Sequence, residues 1–241
     1  AERYTTIAEV LSPSDLAALM NDYYRELFRV VEQHGGQISD TAGDSMVAVW
    51  ASARPDPGMR QRAADAAAAM LDAVQAFNAR QPLWRLPTRI GLEHGELLIG
   101  NIGAEQRYEY RAIGDIVNTA ARLQELNRHL GTRALISAAA LDGTTGLRTR
   151  ALGQFQLRGK RLPVTVHELA VDGLSDDDLA DFALALAAFR DAAWQDAEAG
   201  FAALVARLPQ DGPSRFFAEI AERYGRAPPP TWRGIVPASV R

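Results

Sequence analysis

Gly35-Gly36-Gln37-Ile38-Ser39-Asp40-Thr41-Ala42-Gly43-Asp44-Ser45-Met46-Val47-Ala48-Val49-Trp50 reads as one short extended run, a tight turn at Ala42-Gly43-Asp44, and a second run rich in Val and Met. Glycine adopts the positive φ that such a turn needs, so the chain is expected to double back as a hairpin. The carboxylate of Asp44 is then held at the hairpin tip rather than on a sheet face. An ionised oxygen donor in that position suits a hard cation.

Ahead of the hairpin, Ser12-Pro13-Ser14-Asp15 is a helix start, with Ser12 as N-cap and Pro13 at the first helical position. Leu16, Leu19, Met20, Tyr23, Tyr24, Leu27, Phe28 and Val31 recur at helical spacing until Gly35-Gly36, predicting a long amphipathic helix that leads into the hairpin. Behind the hairpin, Pro55-Asp56-Pro57-Gly58 breaks the chain before an Ala-rich helix over 59–78. Two extended runs joined around His94-Gly95 follow within 88–103, and then a helix with Asp115 at its N-cap that Gly131 closes. Further extended runs fall at 133–137, 155–157 and 164–169. Helices and strands alternating in this way predict an α/β sandwich over 1–172. A second region, 173–241, opens with the acidic helix start Ser175-Asp176-Asp177-Asp178. Phe182, Leu186, Phe189, Trp194, Ala197, Phe201, Leu204 and Leu208 predict a helical hairpin, and Pro209 to Pro213 leads into a third helix ending near Arg226. The spacing resembles one tetratricopeptide-like unit. A single repeat cannot bury its own face, so it is expected to pack on the first domain or on a partner chain. The tail Ala227-Pro228-Pro229-Pro230-Thr231-Trp232 reads as stiff and extended, with Trp232 as its anchor.

At 241 residues and 47% apolar composition the chain can bury a sizeable core. A net charge of −4 and a pI near 5.6 argue against a broad nucleic-acid-binding surface and for a small anionic partner. With no cysteine, disulfides and thiolate metal sites are excluded, which suits a cytoplasmic setting. No stretch approaches a membrane span and no signal peptide opens the chain. The expectation is a cytoplasmic domain, free or as the cytoplasmic part of a membrane-anchored sensor whose sensing domain lies outside this chain. His34, His94, His129 and His167 show no metal-like spacing, no HExxH motif is present, and all four read as structural.

Three further segments make a resemblance specific. Tyr4-Thr5-Thr6-Ile7-Ala8-Glu9 looks like the tail of the aspartate-x-x-glycine-phenylalanine-threonine motif of class III nucleotide cyclases. Gly95-Glu96-Leu97-Leu98-Ile99-Gly100-Asn101-Ile102-Gly103, with Tyr108 to Arg122 after it, is similar to that family's second half. Leu157-Arg158-Gly159-Lys160 is similar to its closing Lys-Gly-Lys hairpin. With the Asp44 hairpin, these matches run in the family's order over residues 1 to about 170. The resemblance implies a mainly antiparallel sheet flanked by helices, a homodimer with active sites at its interface, a nucleoside triphosphate substrate, and two Mg²⁺ or Mn²⁺ ions per site. It also places the family's first metal-binding aspartate immediately before Ala1, so that the first strand is cut at the start of this chain and Ala1 offers a backbone carbonyl to the metal.

By the same resemblance Asp44 is the second metal carboxylate; taken alone, it would be a turn aspartate bonded to its own backbone. Asn118 and Arg122, four residues apart on one helical face, match the pair that orients the ribose and stabilises charge on the α-phosphate; taken alone, they are an exposed polar face. Lys160, with Arg158 beside it, matches the triphosphate-binding lysine; taken alone, the segment is a solvated basic turn. In the usual adenylate cyclase pattern a lysine four residues before the metal aspartate, and an aspartate or threonine just after the tyrosine, read adenine. Here Asp40 and Arg111 stand at those places, inverting donor and acceptor. Guanine offers N1–H and N2–H₂ to Asp40, and O6 and N7 to Arg111. Bacterial-type members mostly make cyclic AMP, and Asp40 could instead pair with Arg111, so both ATP and GTP stay open. The alternative to a cyclase is a catalytically degenerate nucleotide-binding and dimerisation module; a scaffold built on the helical extension is weaker, since one repeat offers little concave surface.

Overall fold

The computed structural model describes residues 1–81, 83–104, 107–171 and 173–238, with 102–104 and 107–110 as backbone only. In chain order the elements are α1 (Tyr4–Ala8), α2 (Pro13–Gln33), β1 (Gln37–Ala42), β2 (Ser45–Val49), α3 (Met59–Arg80), β3 (Ile90–Leu92), β4 (Leu98–Ala104), β5 (Arg107–Ile113), α4 (Asp115–Leu130), β6 (Ala134–Ser137), α5 (Ala138–Leu141), β7 (Thr149–Gln156), β8 (Val164–Leu169), α6 (Asp176–Arg190), α7 (Trp194–Arg207), α8 (Gly212–Arg226) and β9 (Ile235–Pro237). The architecture is α/β. A five-stranded mixed sheet has the order β3-β6-β8-β7-β9, and β1–β2 and β4–β5 form two separate antiparallel hairpins.

The helix α2 starts as its sequence dictates, Ser12 Oγ accepting from the Asp15 N–H at 3.2 Å. Its stripe of Leu19, Met20, Tyr23, Leu27, Val30 and Val31 is buried against Ala64, Ala67, Met70, Val74 and Phe77 of α3. Gly35, at φ 73°, ends the helix. Gly36 lets the Trp50 ring come so close that a Cβ there would meet it at 2.6 Å. Trp50 Nε1 in turn donates to His34 O at 2.9 Å, so the β1–β2 hairpin is docked on the end of α2 at both its start and its finish.

The seat of α4 is set by backbone contact. A Cβ on Gly91 of β3 would lie 2.2 Å from Ala120 O and 2.5 Å from Gln124 N, so only glycine permits the observed approach. Asn127, fully buried, donates to Ile90 O at 2.9 Å and accepts from Thr132 Oγ1 at 2.8 Å, tying the far end of α4 to β3.

A second core joins α4 and β7 to the C-terminal helices. Leu123, Leu126, Leu130, Leu152 and Phe155 pack with Phe182, Phe189, Phe201 and Phe217. Arg150, 4% exposed, reaches from β7 to Glu168 on β8 and to Asp211, which also caps α8 through the Ser214 N–H at 3.0 Å. Burial pushes the Glu168 carboxyl up, Arg150 only partly offsetting it. At Asp211 burial acts in the same direction, but its Arg150 bonds outweigh it and the carboxyl is lowered. One cation facing two carboxylates leaves one of them the weaker acid.

Three features differ from the sequence expectation. The run expected at 155–157 is the end of a longer strand, Thr149–Gln156, whose inward positions include the charged Arg150 and so hide the alternation. The tail carries an extra strand, β9, parallel to β7, while Trp232 sits among Phe189, Trp194 and Tyr224 and donates to Arg190 O at 2.8 Å. Asp115 is the first helical residue of α4, and Gly114 holds the N-cap position. Among the described residues no helix is long and apolar enough to cross a membrane.

Gly91→Ala is expected to lower unfolding stability by about 1–3 kcal/mol, because the new methyl meets helix backbone that cannot yield locally. Gly100→Ala, whose Cβ would meet nothing within 4 Å, is the control and should leave the urea midpoint almost unchanged.

Candidate active site

Asp44 stands at the β1–β2 turn, following Gly43 at φ 59°, and its side chain is 35% exposed. The turn is supported from below. Tyr24 Oη lies 2.8 Å from Gly43 O and 3.1 Å from Ser45 O, so the single phenol proton on α2 is shared between the carbonyls on either side of Asp44. Burial, and then the Asp44 charge, push the Tyr24 phenol up to about 12. Buried Tyr23 beside it is also pushed up to about 12, chiefly by burial, and shares a 2.7 Å hydrogen bond with Thr88. Ala1 adjoins Asp44, its backbone nitrogen lying 3.0 Å from Asp44 O and 3.1 Å from Asp44 Oδ2. The two expected metal-binding positions are therefore neighbours. Arg3, at the motif's glycine position, adopts φ 67°.

A half-buried, oxygen-only anionic donor fits Mg²⁺ or Mn²⁺. Such an ion is commonly bound by one or two carboxylates, with water and substrate phosphates completing its shell. Among the described residues no three His, Cys, Asp or Glu side chains form a closed cage.

Asp40 and Arg111 are brought together across β1 and β5, Arg111 Nη2 lying 3.3 Å from Asp40 Oδ2. The hairpin and β5 are also joined by Ser39 Oγ, which accepts from the Ala112 N–H at 2.9 Å. The β1–β2 register shifts between Ile38 and Asp40, a bulge beside the residue of interest. The side chain of Tyr108, part of the same motif, lies outside the described residues.

Asn118 is exposed on α4 and Arg122 lies one turn further on, with Nη1 2.9 Å from Glu125 Oε2. The β7–β8 turn, reversed at Gly159 with φ 76°, sits over the start of this helix. Arg158 is exposed there, and Lys160 Nζ pairs with the Asp115 carboxylate. The sequence reading of Asp115 as a capping residue is corrected on this point: the side chain makes no cap bond and holds Lys160 instead. A pairing across 45 residues leaves no trace in local spacing. Tyr24 was visible only as one member of the apolar stripe of α2, although a phenol in such a stripe is a signal that its oxygen needs a partner.

A groove of about 1180 Å³ beside Asp44 is lined by residues 1–6 and, from the end of α4 and the segment after it, by Asn127, Arg128 and Arg133 among others. An aspartate at a hairpin tip, and polar side chains on a helix beneath a lysine turn, are thus carried by one α/β domain.

Comparison with known proteins agrees. A family model of the adenylate and guanylate cyclase catalytic domain matches residues 2–170, and the chain belongs to this family, the class III nucleotide cyclases. Adenylate cyclase 1 of Rhizobium meliloti is 33% identical over 170 residues, covering 69% of this chain and 26% of that protein. The adenylate cyclase of Anabaena cylindrica is 25% identical over 177 residues, covering 69% and 34% respectively. The chain thus spans between a quarter and about a third of the length of these relatives. Among solved structures, the adenylyl cyclase CyaB from P. aeruginosa superposes with a TM-score of 0.63 at 24% identity over 73% of this chain and 91% of that one. The guanylyl cyclase Cya2 gives 0.61 at 25% identity, over 73% and 89%.

Because folding raises the Tyr23 and Tyr24 phenols above their ordinary value of 10.0, their contribution to stability is complete below pH 10 and lost as pH rises toward about 12. Absorbance at 295 nm should show Tyr23 and Tyr24 titrating late, and Tyr24→Phe should remove one late-titrating phenol. A titration with all phenols ionising together near pH 10 while the fold persists would contradict the burial described.

Proposed function

We propose that this domain converts a purine nucleoside triphosphate into the 3′,5′-cyclic nucleotide and pyrophosphate, in a homodimer whose two chains each supply half of a site. The observation that carries this reading is a cyclase-family match over residues 2–170 that includes Asp44 at a hairpin tip, Asn118 and Arg122 one turn apart on α4, and Lys160 in a turn over the start of that helix. The ribose 3′-oxygen attacks the α-phosphorus, the bond to the pyrophosphate oxygen breaks, and the 3′-hydroxyl proton is released. Asp44 and the Ala1 carbonyl would hold Mg²⁺ or Mn²⁺, which when bound acidifies the hydroxyl and neutralises phosphate charge. Asn118 orients the ribose. Arg122 donates to the charge that develops on the α-phosphate, a fixed donor aimed where charge appears. Lys160, assisted by Arg158, holds the outer phosphates.

Arg122→Ala is expected to lower kcat by about 10²–10³-fold, as removal of a transition-state donor does elsewhere. Asp44→Ala should be at least as damaging, with an unchanged circular dichroism spectrum, since a turn-tip carboxylate adds little packing. Mixing the two variants of the natural full-length protein should restore roughly a quarter of wild-type activity, from hybrid dimers with one intact site each. No recovery, with subunit exchange verified, rules out the shared site.

The base is read in this proposal by Asp40 and Arg111. Their pair is partly exposed, within reach of solvent and of a ligand. Guanine presents donors to the carboxylate and acceptors to the guanidinium, while the adenylate cyclases among the relatives favour ATP. We expect guanylate cyclase activity alongside adenylate cyclase activity, and a shift of kcat/KM toward ATP in Asp40→Lys. Strong ATP preference in the wild type with no shift in Asp40→Lys would show that these residues do not read the base.

A further inference from the structure

Lys160 is the only lysine in the chain; every other member of its 26 basic residues is arginine. Its ammonium pairs with Asp115, which lies 45 residues earlier in sequence, on the first turn of α4. We propose that Asp115 is a positioning residue that acts as a displaceable counter-ion for Lys160, holding the ammonium over the start of α4 until a triphosphate takes it. This rests on the reading of Lys160 as a triphosphate contact and adds to it a residue that sets nucleotide affinity.

Three observations support exchange rather than a permanent lock. The backbone that carries Lys160 is fixed independently of the ion pair. Lys160 N donates to Leu157 O at 3.1 Å, Gln156 Nε2 donates to Lys160 O at 2.6 Å, and Gly159 makes the reversal at φ 76°. Losing Asp115 therefore frees the side chain without unmaking the turn. Second, the two partners differ in exposure: the Lys160 side chain is 19% exposed and that of Asp115 74%. The carboxylate can swing into solvent while the lysine stem stays where it is. Asp115 also keeps a favourable place after release, since an anion in the first turn of a helix faces the positive end of its dipole.

The third observation is the choice of cation. An ammonium is a compact charge with three rotatable donors and passes readily between oxygen partners, whereas a guanidinium would grip the carboxylate with a bidentate fork. In a chain that otherwise uses arginine throughout, this turn carries the one basic side chain suited to changing partners. A triphosphate brings several anionic oxygens against a single carboxylate. The competing pair is partly exposed, so its removal should tighten triphosphate binding by about two- to fivefold, the range such pairs supply.

The single lysine makes the exchange directly observable. The 241-residue chain labelled with ¹³Cε,¹⁵Nζ-lysine gives one lysine side-chain signal, which can be followed during titration with the Mg²⁺ complex of inorganic tripolyphosphate. In the wild type the signal should move to a bound position, and in Asp115→Asn it should do so at a two- to fivefold lower midpoint. Asp115→Glu, which restores the carboxylate, should return the midpoint toward wild type. A midpoint in Asp115→Asn equal to or above that of the wild type overturns the counter-ion role and leaves Lys160 as a phosphate contact. A signal that tripolyphosphate moves in neither protein overturns the triphosphate role of Lys160 itself, and the counter-ion role with it.

Discussion

The placement of the α4 side chains depends on one close approach, that of the β3 backbone at Gly91 to the α4 backbone at Ala120 and Gln124. Backbone contact of this kind leaves no side-chain freedom to absorb error, so the helix has one height and one rotation relative to the sheet. Asn118 and Arg122 lie on that helix and Asp115 opens it, so the position of all three follows from a missing Cβ. Buried Asn127 completes the constraint, since a displaced α4 would strand its amide without the Ile90 and Thr132 partners.

The C-terminal helices bear on the same element from the opposite side. Leu123, Leu126 and Leu130 of α4 share a core with Phe182, Phe201 and Phe217, and Gly212 at the start of α8 approaches Leu130 O so closely that a Cβ there would lie 2.3 Å away. Arg150, with Glu168 and Asp211, fixes the register of this packing. A buried ion group is weak evidence for stability, because desolvation offsets most of the attraction. Its directional bonds nonetheless admit one arrangement of β7, β8 and α8, and a shifted helix would leave the guanidinium unpaired in an apolar core.

Much of this was readable in the sequence because local rules and tertiary packing agree. Ser12-Pro13 starts α2, Gly35-Gly36 ends it, and Gly43 turns the hairpin that carries Asp44. What was hidden shares one cause. Arg150 sits inward on β7, Asp115 reaches Lys160 in a distant turn, and the Pro-rich tail returns as β9 beside β7. Each is a charged or proline-flanked segment whose partner is remote, and hydropathy patterns report only what a residue does with its near neighbours. Asp40 and Arg111 are intermediate. Their complementary charges were evident, and their pairing depended on whether β1 and β5 came within reach of one another.

The charged candidates share a property with consequences for recognition. Within this chain Arg111 faces Asp40, Arg122 faces Glu125 and Lys160 faces Asp115, so each of these three basic candidates already has an anionic partner. Ligand binding is then an exchange of partners rather than the filling of a strongly charged pocket. A lone anion must displace carboxylates and leave them uncompensated, which cancels much of what it gains. On the proposed reading, a nucleotide that arrives with a divalent cation brings charges of both signs, its phosphates for Arg122 and Lys160 and its cation for Asp44. Neutralisation of this kind disfavours simple anions without penalising a metal-bound triphosphate, and it costs little because the pairs are partly exposed.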